Sequence, residues 1–237
     1  MNRTPAAMPH TLFSENMRLA YLIQTNYRLL YVLPCFDVGL GIGESTVEQV
    51  CRRKGLSTEL FLLVCNVYTF DGYIPDTDAL TQVPLDDLMN YLHNSHKEYL
   101  EKRMPKIVGQ IAGLVDNSHV SHGQMLIGFC EKYRQEVVAH FNYEEQTVFP
   151  YIRALLDGKR PERYKIREYE RNHSDLDAAL SDLKNIIIRY LPDECTIERC
   201  RDALIDLFLF EADLAKHTLL EERILVSLVE RIERGLR

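Results

Sequence analysis

Apolar side chains recur at helical spacing through the last two thirds of the chain. In "LDDLMNYLHNSHKEYLEKRM" they fall three and four residues apart. The same period runs through "LIGFCEKYRQEVVAHFNYEEQTVFPYIRALL", "LDAALSDLKNIIIRYL" and "CRDALIDLFLFEADLAKHTLLEERILVSLVERI". Residues at this spacing share a helix face, so each segment offers one apolar stripe to a core. Alternation of period two, the mark of a half-buried strand, is scarce. The pattern predicts four long helices, at 84–115, 121–157, 163–190 and 196–234. They are broken at "DNSHVSHG", "DGKRPER" and "LPDEC". Short breaks between long amphipathic helices make neighbours antiparallel, the plan of an up-down four-helix bundle. Pro105 and Pro150 fall inside or near the ends of two of these helices. Each predicts a kink, because proline lacks an N–H and crowds the carbonyl four residues back.

The first 75 residues follow a different pattern. "GLGIG" reads as a flexible turn, and "ESTVEQVCRRKGLSTELFLLVCN" as helix, turn, helix. Ser45 and Glu48 have capping-box spacing, Gly55 marks the turn, and Ser57 can cap the second helix. "TFDGYIPDTDALTQVP" is rich in Asp, Thr, Gly and Pro and reads as a linker. The expected organisation is a small helical N-terminal domain (1–75), a linker (76–83) and an all-α bundle (84–237).

Composition narrows the class of protein. Of 237 residues, 46% are hydrophobic and 27% charged, the balance of a water-soluble globular chain. No apolar run reaches membrane-spanning length, and the N-terminus lacks the apolar core of a signal peptide, so a cytoplasmic location is expected. The net charge of −7 argues against bulk nucleic-acid binding, which needs cations to displace counterions from phosphate. The six cysteines form no CxxC pair and read mostly as reduced, buried side chains rather than a thiolate metal site.

Candidate chemistry lies in the histidines. His96, His140, His173 and His217 fall one on each predicted bundle helix. The set His96, His140, Glu144 recurs 77 residues later as His173, His217, Glu221, and the next acid recurs too, as Glu145 and Glu222. Such a repeat implies two helix pairs related by a pseudo-twofold axis. His140 projects beside Glu144, and His217 beside Glu221, because residues four apart share a face. A single HxxxE pair is explained by a surface salt bridge worth a few tenths of a kcal/mol. Four imidazoles and two carboxylates converging in a core are not. Without a cation their desolvation costs on the order of several kcal/mol. Imidazole suits iron, zinc, copper or nickel, and a carboxylate can bridge two ions. Glu145 and Glu222 are expected in salt bridges or helix contacts. His93 is expected to be solvated or to stand beside the ligands. His10, His119 and His122 are expected outside the site.

The stretches "YLHNSHKEYLEKRMP", "HFNYEEQTVFP", "RNHSDL" and "KHTLLEERILVSL" resemble the hemerythrin-like cation-binding domains. More closely, they resemble the di-iron proteins that repair iron–sulfur clusters after nitrosative or oxidative damage. The resemblance covers about 84–234. It implies a four-helix bundle with six ligands, His96, His140, Glu144, His173, His217 and Glu221, around two oxo- or hydroxo-bridged iron ions, with zinc or manganese as substitutes. It also implies oxygen, nitric oxide or peroxide as small ligands, damaged iron–sulfur proteins as partners, and a monomer or homodimer. Two departures stand out. The spacing from His96 to Pro105 is one residue longer than in the best-known members. The repair proteins carry two adjacent cysteines followed by two glycines near the N-terminus, where this chain has "DVGLGIGEST" and only the single Cys35 nearby. A sensor or regulator with a DNA- or protein-binding N-terminal domain, and a simple oxygen or iron carrier, are the alternatives.

Overall fold

The computed structural model describes residues 11–75, 79–115, 121–159, 164–171, 174–190 and 197–235. The chain divides into two compact units, Met1–Pro84 and Leu85–Arg237. Among the described residues there is no β-strand beyond one isolated bridge, Arg18 with Thr46.

The first unit holds α1 (Leu19–Thr25), α2 (Leu29–Cys35), α3 (Val47–Lys54) and α4 (Thr58–Thr69). The capping box of α3 is one residue later than the sequence reading placed it. Thr46 accepts from the Gln49 amide, and the Gln49 side chain accepts from the Thr46 N–H. Ser45 instead gives its carbonyl to the Leu19 N–H. Gly55 ends α3 at φ 68°, where a Cβ would be strained, and Ser57 caps α4 through the Leu60 N–H. Two buried asparagines tie the unit together. Asn66 takes the Phe13 N–H, and Asn26 donates to the Tyr68 carbonyl. The stretch read as a linker contains a 3-10 turn, Ala79–Gln82, and buries Leu80 and Val83.

The second unit is built from four rods. The first is α5 (Leu85–Lys97), a π turn (Glu98–Arg103) and α6 (Met104–Val115). The second is α7 (Ser121–Tyr143), a π turn (Glu144–Val148) and α8 (Phe149–Leu156). The third is a 3-10 segment (Ile166–Arg171) leading toward α9 (Ser174–Tyr190). The fourth is α10 (Ile197–Leu219), a π turn (Leu220–Leu225) and α11 (Val226–Gly235). Helices α6 and α9 each pack on both α7 and α10, which closes a four-membered ring. Ile107 and Ile111 of α6, Val137 of α7, Leu180 and Leu183 of α9 and Leu207 of α10 meet in its core. Burying each such side chain favours the fold by about 1.5–3 kcal/mol.

Each π turn closes with a hydrogen bond five residues back: Met104 to the Tyr99 carbonyl, Phe149 to that of Glu144, and Val226 to that of Glu221. Such a turn holds one residue more than an α turn and rotates the face that follows. Pro105 and Pro150, expected to kink their helices, are each the second residue after a π turn. The widened turn lies where the proline ring would crowd a carbonyl.

Cys35, Cys51, Cys65 and Cys130 are free and buried. Cys200 is disulfide-bonded, which corrects the expectation of reduced thiols at that position.

Candidate metal centre

His96 stands in the last turn of α5, and His217 in the last turn of α10. Glu144 opens the second π turn, and Glu221 lies in the third. The two glutamates are fully buried, and their backbone carbonyls accept the five-residue hydrogen bonds. The carboxylates therefore project where the helices widen. His96, Glu144, His217 and Glu221 bring one donor atom each within 4.8 Å of one another.

The distances define a compact cluster. His96 Nε2 lies 3.0 Å from Glu144 Oε2, and His217 Nε2 lies 2.9 Å from Glu221 Oε1. The two Nε2 atoms are 3.2 Å apart. Two nitrogens bound at about 2.1 Å to one ion would stand about 3.0–3.4 Å apart, for angles from octahedral to tetrahedral. His140 joins through the other oxygen of Glu144, with Nε2 3.0 Å from Oε1. Glu144 thus offers one oxygen toward His96 and the other toward His140. Tyr169, on the 3-10 segment, donates its hydroxyl to Glu144 Oε1 at 2.6 Å.

The far nitrogens of the rings are held as well. Glu145 Oε1 lies 2.8 Å from His96 Nδ1 and 2.8 Å from His93 Nδ1. A carboxylate only accepts, so His96 carries a proton on Nδ1. Ser95 Oγ lies 2.8 and 3.0 Å from the Leu92 and Tyr91 carbonyls and 3.2 Å from His217 Nδ1. Its one proton goes to a carbonyl, so it accepts from His217 Nδ1–H. Both imidazoles are thereby oriented with Nε2 toward the carboxylates, the arrangement a ligating histidine needs. Aromatic rings wall the cluster. Phe141 stacks on His96 at 4.3 Å, and Tyr99 meets His217 edge-on at 5.4 Å. Glu145→Ala is expected to weaken metal binding about 10- to 100-fold, read by chelator competition, because the Nδ1 hydrogen bond that orients the His96 ring is lost.

Electrostatics follow from this crowding. Burial opposes the charge on His96, but Glu144, Glu145 and Glu221 hold its pKa well above the usual imidazole value. Burial also opposes charge on His140, and Glu144 outweighs it upward. Burial and the Glu221 charge work against ionised Glu144, yet His140 and His96 bring its pKa below the ordinary range. Tyr169 is pushed well up, by burial and then by the charges of Glu221 and Glu144.

Of the six residues singled out from the sequence, four form the tight group and His140 adjoins it through Glu144. His173 lies outside the described residues, as do His10, His119 and the side chain of His122. Glu145 makes the ionic contacts expected of it, and His93 is half-exposed beside it. Phe149 stacks on His96 and Tyr99 meets His217, while Tyr143 hydrogen-bonds Tyr164. Tyr169 and Ser95 were not foreseen. A phenol four residues before a histidine, or a serine beside one, carries no spacing signal.

His140 also borders a cleft of about 680 Å³ whose lining includes Phe129, Ala139, Tyr143, Leu176 and Asp182. Its side chain is 8% exposed, against 0% for its repeat mate His217. The two halves of the repeat are therefore unequal in solvent access.

No curated protein matches the chain. Among the described residues no helix is long and apolar enough to cross a membrane. The family described as Hemerythrin HHE cation binding domain matches residues 87–229, more than half of the chain and the whole of the buried histidine–glutamate cluster. The chain belongs to the hemerythrin HHE cation-binding family.

Proposed function

We propose that the bundle holds two iron ions and serves the response to nitrosative or oxidative stress, binding oxygen, nitric oxide or peroxide and assisting the repair of iron–sulfur clusters. The observation that carries the metal reading is the pair of imidazole nitrogens 3.2 Å apart between two fully buried carboxylates. Two carboxylates so enclosed would impose a desolvation cost that a divalent cation removes. His96, His217, Glu144 and Glu221 would hold one ion. His140 with Glu144, and by the sequence repeat His173 with Glu221, would hold the other. Iron there supplies cycling between ferrous and ferric states and positions open to small ligands.

The protein's own residues contribute shape and access. Phe141, Phe149 and Tyr99 exclude water around His96 and His217. The cleft beside His140 gives a small ligand its approach on the other side. A DNA-reading role for the first unit is less well supported. Helix α4, the second of the helix-turn-helix pair, buries Leu60, Phe61, Leu63, Val64, Val67 and Tyr68, which leaves little of it to enter a groove. Arg52 and Lys54 of α3 are paired with Glu48 and Asp37.

Full-length protein reconstituted with ferrous iron under anaerobic conditions is expected to hold two irons per chain and to show an oxo-bridge absorption on oxidation. It is also expected to restore activity to an iron–sulfur enzyme inactivated by nitric oxide. A reconstituted preparation that holds no iron sinks the metal reading. Iron-loaded protein that restores nothing sinks the repair role and leaves a carrier or sensor.

A further inference from the structure

Tyr169 is fully buried and stands on the short 3-10 segment that leads into the third rod. That segment is fixed from behind. Glu233 of α11 accepts the Ile166 N–H at 3.1 Å and the Tyr151 hydroxyl, and Glu230 of α11 pairs with Arg167 at 2.7 Å. The phenol is thus carried on an anchored piece of backbone. Its hydroxyl reaches Glu144 Oε1, the oxygen that also faces His140 Nε2. At 2.6 Å this is the length of a hydroxyl donating to a carboxylate, roughly twice as strong as a neutral pair. Phenylalanine would fill the same space, so packing alone does not call for the hydroxyl.

Glu144 has two oxygens with different neighbours, so the tilt of its carboxylate plane decides how well each oxygen faces its histidine. The Tyr169 hydroxyl, carried on an anchored segment and close to Glu221 as well, holds that tilt from the Oε1 side. We propose that Tyr169 is a positioning residue that locks the Glu144 carboxylate across the two metal positions, with its effect concentrated on the position at His140. The inference rests on the two-ion reading above and deepens it.

The test uses metal-free full-length protein titrated with cobalt(II) against a chromophoric chelator. Wild type is expected to bind two equivalents. Tyr169→Phe is expected to keep its far-ultraviolet circular dichroism and its first equivalent, while the second weakens about 10- to 100-fold, the usual cost of losing a hydrogen-bond partner of a metal ligand. The cobalt visible spectrum of that second equivalent should shift in the variant. Equal affinities and unchanged spectra in the two proteins overturn the inference and leave the metal reading standing. Equal weakening of both equivalents also overturns it, since that is the mark of a general loss of packing. Wild type that takes up no cobalt overturns the two-ion reading and this inference together.

Discussion

Glu144→Gln is expected to lower bound metal from the two ions per chain proposed above to less than one after desalting, with affinity at the remaining position down by about 100-fold or more. The substitution keeps the volume of a fully buried side chain and removes its charge. The amide still offers one oxygen, but its nitrogen must face either the His96 ring, the His140 ring or the Tyr169 hydroxyl, where an acceptor is needed. Because the carboxylate addresses both histidines, both positions are affected. Elemental analysis beside wild type, with circular dichroism to show that the bundle is intact, decides the matter. A variant that keeps its full metal content would show that the ligands are wrongly assigned.

Asp213→Ala should lower the stability of the metal-free protein by about 3–5 kcal/mol, read as a shift of the urea midpoint. Asp213 of α10 pairs with Arg103 of the first π turn, and both are buried. The guanidinium lies over the rings of Tyr99 and Phe210, at 5.7 and 5.2 Å. Truncating the acid takes away the carboxylate that faces a cation held in an aromatic pocket. The double variant Arg103→Met with Asp213→Leu removes both charges and should recover most of the loss, since a buried pair replaced by apolar groups of similar volume is close to neutral. If Asp213→Ala unfolds at the wild-type midpoint, the pair carries no such charge compensation.

The rods were legible because an amphipathic helix leaves a period in the sequence that survives insertions and breaks. Predicted ends at 115, 157, 190 and 234 lie within one residue of the helix ends at Val115, Leu156, Tyr190 and Gly235. The histidine repeat is a spacing in the sequence itself, and four of its members, His96, Glu144, His217 and Glu221, meet in the buried group. What escaped detection depends on tertiary choice. Ser45 with Glu48 and Thr46 with Gln49 both satisfy the capping pattern. The Leu19 N–H that engages the Ser45 carbonyl and the Arg18–Thr46 bridge belong to the setting that selects the second, and neither is local. The π turns shift the helical face by one residue without changing composition. The single hint was the extra residue between His96 and Pro105, the interval in which the first π turn lies. Tyr169 is placed by the anchoring of its segment to α11, contacts more than sixty residues apart in the chain.

The 3.2 Å contact between His96 and His217 joins residues 121 positions apart. An ion held between them would act as a cross-link. A covalent link closing a loop of that size removes on the order of 4–5 kcal/mol of chain entropy from the unfolded state. The first and last rods could not then separate until the ion left, so the lifetime of the loaded fold would be governed by metal release rather than by the loosening of any helix.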